Sequence, residues 1–223
     1  MNIRLVLVLL FFTACSTNSP ETATSTFSRA RDLALIDAKL PEASGMAASV
    51  VNNGSIWVVN DSGNPAEVYL IDTTAHVTFT CKLPVENRDW EEVLVGPGPV
   101  DGKTYVYVGE IGDNNAIYET KNIYRFEEPS LRDATPGEAV REVKLTDTLK
   151  IQMSDGRRDT ETMLIDPLTK DLYIISKRED SVGVYKVAQP FKTKEVMMAQ
   201  KVAKIPFFKI VAGQFSPDGT EII

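Results

Sequence analysis

Histidine occurs once in the 223 residues, at position 76, and cysteine twice, at positions 15 and 81. The one histidine follows Asp72-Thr73-Thr74 in a turn, so neither a site of several histidines nor a Ser/His/Asp triad is expected. Basic runs are also missing, and 24 Lys and Arg against 31 Asp and Glu give a net charge of −7. Nucleic acid is therefore set aside as a partner, because phosphate recognition needs a basic face. Long apolar stretches are absent too. The one unbroken run, Leu5 to Phe12, is far short of the roughly 20 residues that cross a bilayer. What remains is an ordinary globular composition, 43% hydrophobic and 25% charged, enough for a sizeable core.

The short apolar run follows a positive start at Asn2–Arg4 and ends in the small residues Thr13 and Ala14, the layout of an export signal. Phe12-Thr13-Ala14-Cys15 resembles the lipobox of bacterial lipoproteins. That resemblance implies that residues 1–14 are removed and that Cys15 becomes the acylated N-terminus, a membrane anchor carrying palmitate-type chains. Ser16 lacks the acidic side chain associated with inner-membrane retention, so the outer membrane of the cell envelope is the expected site. Residues 15–32, rich in Ser and Thr, read as a flexible tether, with a folded domain over 33–223. Cys81 lies in the alternating segment Val77 to Leu83 and is expected to be a small buried apolar group.

Within the domain, three stretches superimpose as four strands each. The first comprises Ser44–Ala48, Ile56–Asp61, Val68–Asp72 and Val77–Leu83; the second Glu91–Val95, Tyr105–Glu110, Ile123–Phe126 and Glu142–Thr146; the third Glu161–Ile165, Leu172–Lys177, Val184–Val187 and Val196–Ile205. β-branched and aromatic runs broken by Gly, Asp, Asn and Pro are strand signals. Four-stranded units of about 40–50 residues, repeated, are propeller blades; a β-sandwich of similar hairpins would give part of the same pattern. A fourth unit begins at Val211, and the sequence ends within its Pro217-Asp218-Gly219 hairpin. The expected fold is all-β and propeller-type, three blades plus the start of a fourth, with at least two strand edges left open as in a truncated product.

Five motifs carry a further resemblance: Glu42-Ala43-Ser44-Gly45-Met46, Trp57-Val58-Val59-Asn60-Asp61-Ser62-Gly63, Asp89-Trp90-Glu91-Glu92, Gly109-Glu110-Ile111-Gly112-Asp113-Asn114 and Asp159-Thr160-Glu161-Thr162. Together they resemble a family of bacterial secreted propellers in which the second blade reads Asp-Trp-Glu-Asp and Gly-Asp-Ile-Gly-Asp-Asn, so Glu92 and Glu110 replace Asp. Ser216-Pro217-Asp218-Gly219 is similar to the repeat signature of TolB-like six-bladed propellers. Such folds host enzymes, binders and scaffolds alike.

Because blade strands alternate direction, the loop entering the first strand and the loop leaving the second emerge at the same end. Candidate binding residues at that mouth are Glu42, Asp89, Glu91, Asp113, Asn114, Asp159, Glu161 and Lys177, with Asp61 and Glu110 in the same second loops. Asp89/Glu91 and Asp159/Glu161 repeat an Asp-x-Glu spacing that puts two carboxylates on one side of a strand. Such pairs repel unless a cation relieves them, and hard oxygen ligands suit Ca²⁺, with Glu91 and Glu161 the candidate metal ligands. The alternative is structural, each Glu pairing with Arg88, Arg157 or Arg158. Asp61-Ser62-Gly63 reads as a turn. Two functions stay open: an envelope lipoprotein binding a ligand or partner through this face, and a divalent-metal hydrolase of phytase-like or lactonase-like type.

The anchor is tested directly by metabolic labelling with a fatty-acid analogue. Label is expected in the wild type and lost in Cys15→Ser; equal labelling of both would contradict it.

Overall fold

The computed structural model describes residue 32 and residues 34–223. The export signal, Cys15 and nearly all of the tether lie outside the described residues. The compact unit spans Leu33–Ile223, and among the described residues no helix is long and apolar enough to cross a membrane.

The unit is all-β and propeller-like, as the repeat pattern implies. Blade 1 is an antiparallel meander of β1 (Ala43–Ala48), β2 (Ile56–Asn60), β3 (Glu67–Ile71) and β4 (Val77–Lys82). Blade 2 contains β5 (Trp90–Pro97), β6 (Thr104–Glu110) and β7 (Lys121–Glu127). The chain then leaves through a single 3-10 turn at Leu131–Asp133, makes the short β8 (Val140–Glu142), and returns as β9 (Asp147–Met153) to complete the blade. Blade 3 is β10 (Thr160–Ile165), β11 (Leu172–Ser176), β12 (Val182–Val187) and β13 (Val196–Ile205).

Two features differ from the sequence reading. The fourth strand of blade 2 is Asp147–Met153 and not Glu142–Thr146, because β8 crosses over and pairs in parallel with β4, Cys81 opposite Arg141. Both segments are strand-like. The choice between them is settled by the open edge of β4, whose unpaired N–H and C=O groups β8 satisfies. Outer edges are also closed between blades 2 and 3, where β13 pairs in parallel with β9 over Val196–Ala199 and Lys150–Met153. β4, β9 and β13 thus gain partners on their outer sides, while β1 and β8, and β10 and β5, end their sheets. The start of the fourth unit is a hairpin: Gln214 and Ile223 exchange backbone hydrogen bonds of 2.9 and 3.0 Å, and Gly219 supplies the positive φ its turn needs. Phe215 of this hairpin lies 5.9 Å from the Tyr173 ring and helps to cover the face of blade 3 formed by Leu164, Ile175 and Val182.

The main cores lie between blades. Trp57, Val59, Leu70 and Phe79 of blade 1 meet Trp90, Val93, Val106 and Phe126 of blade 2; Leu94, Tyr107, Ile123 and Ile151 of blade 2 meet Met163, Ile174 and Tyr185 of blade 3. Cys81 belongs to the first core, a free thiol that burial pushes up to about 12. β5, flanked by β1 and β10, is buried along nearly its whole length although it carries Glu91 and Glu92. At the end of blade 1 away from the acidic motifs, Glu128 joins two blades. Its carboxylate accepts from Ser49 Oγ at 2.6 Å, Val50 N at 3.2 Å, Trp57 Nε1 at 2.9 Å and Thr104 Oγ at 2.9 Å.

Removing Glu128 would strand several buried donors. Glu128→Ala is therefore expected to destabilise the domain by about 3 kcal/mol or more in urea unfolding. A loss below about 0.5 kcal/mol, the size of an ordinary surface change, would show that this clasp does not join the blades.

Candidate functional site

Each innermost strand begins with the same irregularity. The pairing register slips between Ala43 and Gly45, between Trp90 and Glu92, and between Thr160 and Thr162. Ser44, Glu91 and Glu161 are therefore the extra residues of three β-bulges at one repeat position, and a bulge re-aims the side chain it carries. A backbone bond recurs beside each: Asp61 N to Glu42 O at 2.9 Å, Gly112 N to Asp89 O at 3.2 Å, and Lys177 N to Asp159 O at 3.1 Å. Entry loop and second loop are thereby tied together at the same end of each blade.

The mouth is built at the junctions between blades, and the two junctions differ in charge balance. At the junction of blades 2 and 3, Asp113 N donates to Asp159 Oδ1 at 3.0 Å. Asp159 pairs with Arg178 at 2.5 Å, Glu161 with Lys177, and Arg178 also reaches Asn114. Asp113 pairs with the buried Lys121 at 3.3 Å and accepts from Ile117 N and Tyr118 N at 2.8 and 2.9 Å. Burial opposes ionisation of Asp113, but these two N–H groups and the Lys121 ammonium hold its carboxyl below the usual range. Desolvation lowers Lys121 from the ordinary lysine value, and Asp113 counters the effect. Every carboxylate here has a cation.

At the junction of blades 1 and 2, Glu110 has Arg88, but three other carboxylates have no ion-pair partner among the described residues. Carboxylate oxygens of Asp61, Asp89 and Glu91 lie within 4.8 Å of one another. Asp89 and Glu91 are 9% and 7% exposed; among the described residues no N–H donates to either carboxyl, and Asp89 shares a hydrogen bond with the carboxyl of Asp61. Gly112 backs directly onto them: a Cβ there would stand 2.5 Å from Asp89 Oδ2 and 2.6 Å from Glu91 Oε1. Burial, then the Asp61 charge, then Asp159, push the Asp89 carboxyl up to about 6. Burial, Asp61 and Asp89 push Glu91 up to about 8, against the field of Lys177. At an effective dielectric of about 20, two full charges 4.8 Å apart repel by about 3 kcal/mol, so near neutral pH the trio resists full ionisation unless an external positive charge relieves it.

Of the sequence candidates, Asp89 and Glu91 come together with Asp61, while Asp113, Asn114, Asp159, Glu161 and Lys177 form the neighbouring charge-balanced group. Glu42 stands apart and exposed, accepting from Asn64 Nδ2 at 2.8 Å. Glu161 is matched by Lys177 and lies outside the unpaired trio. Arg88 pairs with Glu110 at 3.3 Å, whereas Arg157 and Arg158 pair with Glu119, Asp155 and Glu179 and not with the repeat carboxylates. Three participants are not among the eight candidate binding residues. The sequence places Asp61 on the same face, in the second-loop position that matches Lys177, but reads it as part of a turn. Gly112 was visible in the Gly-Glu-Ile-Gly-Asp-Asn motif, and Lys121 carried no local signal.

No model of a known protein family matches the chain, and no curated protein is similar to it. Among solved structures it is similar to hydrazine synthase of Kuenenia stuttgartiensis, at 16% identity over 81% of this chain and 42% of that one, with a TM-score of 0.42. It is also similar to the Dos1 propeller, at 10% identity over 81% and 41% with a TM-score of 0.42. The β-propeller domain of Cps50 (Swd1) from Myceliophteria thermophila matches at 9% identity over 78% and 45%, with a TM-score of 0.41. The chain spans less than half the length of each.

The raised carboxyls give a pH signature. A carboxyl raised in the fold binds its proton more tightly there than in the unfolded chain, so its stabilisation is complete below the unfolded value near 4 and is lost as pH rises through the folded value. With Asp89 near 6 and Glu91 near 8, unfolding free energy without divalent ions should fall from about pH 4.5 to 8. Glu91→Gln should flatten the upper part of that slope. A wild-type stability that rises with pH across this range would contradict the trio's charge state.

Proposed function

We propose that the chain is a lipid-anchored protein of the bacterial cell envelope, kin to TolB-like propellers, whose propeller binds a divalent cation at its acidic mouth. The observation that carries the cation reading is the unbalanced trio Asp61, Asp89 and Glu91. Ca²⁺ sits about 2.3–2.6 Å from its oxygens, so ligand oxygens around one ion are separated by up to about 5 Å, and the trio's 4.8 Å limit fits. Bulge, backbone bond and Gly112 hold the carboxylates in place before the ion arrives, which reduces the ordering cost of binding. Remaining coordination positions would belong to water or to a ligand held through the ion. Anchoring rests on the lipobox and places this mouth on a tether at the membrane surface.

Binding is favoured over hydrolysis by the neighbouring group. Lys177, Arg178 and Lys121 are engaged by Glu161, Asp159 and Asp113 respectively, so among these neighbouring groups of the described residues none is unengaged to activate water or protonate a leaving group.

Millimolar Ca²⁺ should raise the melting temperature by several degrees, since a ligand that binds only the folded state stabilises it by mass action; chelator should reverse the rise. Asp89→Asn should lose most of the response, while Glu161→Gln, next to its own lysine, should keep it. An unchanged melting point in Ca²⁺ and Mg²⁺, or equal responses in wild type and Asp89→Asn, would end this reading.

A further inference from the structure

The chain carries a net charge of −7, yet positions 192 to 209 hold five lysines and one acid, Glu195. This stretch comprises the end of the loop before β13, β13 itself and the segment Pro206-Phe207-Phe208-Lys209 behind it. Lys192 pairs with Glu195 and Lys201 with Asp155. Lys204 and Lys209, which flank the two phenylalanines, have no acidic partner among the described residues.

The segment is held at its ends and along its backbone. Ile205 and Ile210 pack against Leu164, Ile175 and Val182 of blade 3. Val182 N donates to Phe207 O at 3.2 Å, and Lys209 N to Lys177 O at 2.8 Å. Proline fixes the path at 206, and Lys209 adopts a φ of 58°, a left-handed conformation uncommon outside glycine. On this fixed backbone the rings of Phe207 and Phe208 stay outside every buried core, 67% and 57% exposed. The Lys209 ammonium lies 5.1 Å from the Phe208 ring. Along β13 itself Met198 and Val202 are exposed as well, beside Lys186 and Lys192.

A single exposed apolar side chain is ordinary, but adjacent phenylalanines between unpaired cations mark an interaction surface. The charge selects the partner, which must supply negative groups for the lysines and an apolar layer for the rings. A phospholipid surface supplies both, phosphates for the ammonium groups and, about 5–10 Å into the headgroup region, the boundary of the acyl chains. We propose that the outer rim of blade 3 docks on an anionic phospholipid bilayer, with Phe207 and Phe208 entering the headgroup boundary and Lys204 and Lys209 meeting phosphates. This surface is separate from the cation trio and does not depend on the anchor: acylation of Cys15 would tether the chain, whereas this rim would orient it.

The test reads position 208 in the full chain bound to vesicles. Trp57 and Trp90 are fully buried, so Phe208→Trp adds the one exposed indole, and quenching by brominated acyl chains reports its depth. On vesicles of phosphatidylcholine mixed with phosphatidylglycerol, blue-shifted emission and at least about twofold quenching are expected; on phosphatidylcholine alone, little of either. Thr73→Trp, in the exposed turn of blade 1, should stay unquenched. Lys204→Glu with Lys209→Glu should shift docking at least about tenfold toward the free state, since each lysine near such a surface is worth about fivefold. Unquenched emission at 208 in the vesicle-bound chain, equal quenching at 73 and 208, or no change in the double glutamate variant would each overturn the proposal. So would a blue shift that appears without vesicles and grows with protein concentration, the sign that a second copy covers the rings. Failure of the anchor is told apart by flotation: it lowers the bound fraction of every variant alike, and quenching at 208 retained in that fraction supports the docking rim without it.

Discussion

One extra residue at the head of each innermost strand governs the mouth of this molecule. Without the bulges at Ser44, Glu91 and Glu161, a strict two-residue alternation would send these side chains to one face of the sheet or the other. With them, and with the backbone bond that ties each entry loop to the second loop of its own blade, polar groups from adjacent blades meet at fixed points. The cost of gathering acids there is repulsion and desolvation, and the two junctions meet it in different ways. Blade 3 supplies Lys177 and Arg178 from its own second loop, and Lys121 supports the loop between. Blade 1 supplies Asp61, a third negative charge, to a junction that already holds two.

This contrast shows why the Asp-x-Glu motif alone does not define a site. Asp89/Glu91 and Asp159/Glu161 are alike in sequence and at equivalent positions, yet one pair is neutralised by the chain and the other is not. A structural carboxylate and a ligand carboxylate differ in what the preceding and following blades bring alongside, which is a matter of closure. Strongly perturbed carboxyls cluster at functional sites, and structural ion networks perturb them as well.

Much of the scaffold was legible from residue patterns. β-branched and aromatic runs marked most of the strands, and the spacing of their turns marked the blades, because strand propensity and turn chemistry are local properties. The fourth strand of blade 2 was not legible. Val140–Glu142 and Asp147–Met153 are both strand-like, and which of them completes the blade depends on the free edge of β4, some sixty residues earlier. Site residues followed the same division. Positions inside the repeat, such as Asp89 and Glu91, were found because repetition placed them together. Asp61 was legible as a residue of the same face but not as a ligand, because Asp-Ser-Gly is good turn chemistry whatever lies beside it; Lys121 was not legible, because its partner Asp113 is met only through the folded loop.

The cation proposed between Asp61, Asp89 and Glu91 is within reach of diffraction. Its most direct test is the anomalous scattering of crystals grown with Tb³⁺, a luminescent and strongly scattering stand-in for Ca²⁺. A single strong peak within about 2.6 Å of an oxygen from each of the three residues, absent from crystals of Asp89→Asn, is the predicted result. Scattering placed instead at Asp159 and Glu161, or no ordered peak at the mouth at saturating Tb³⁺, would contradict the account.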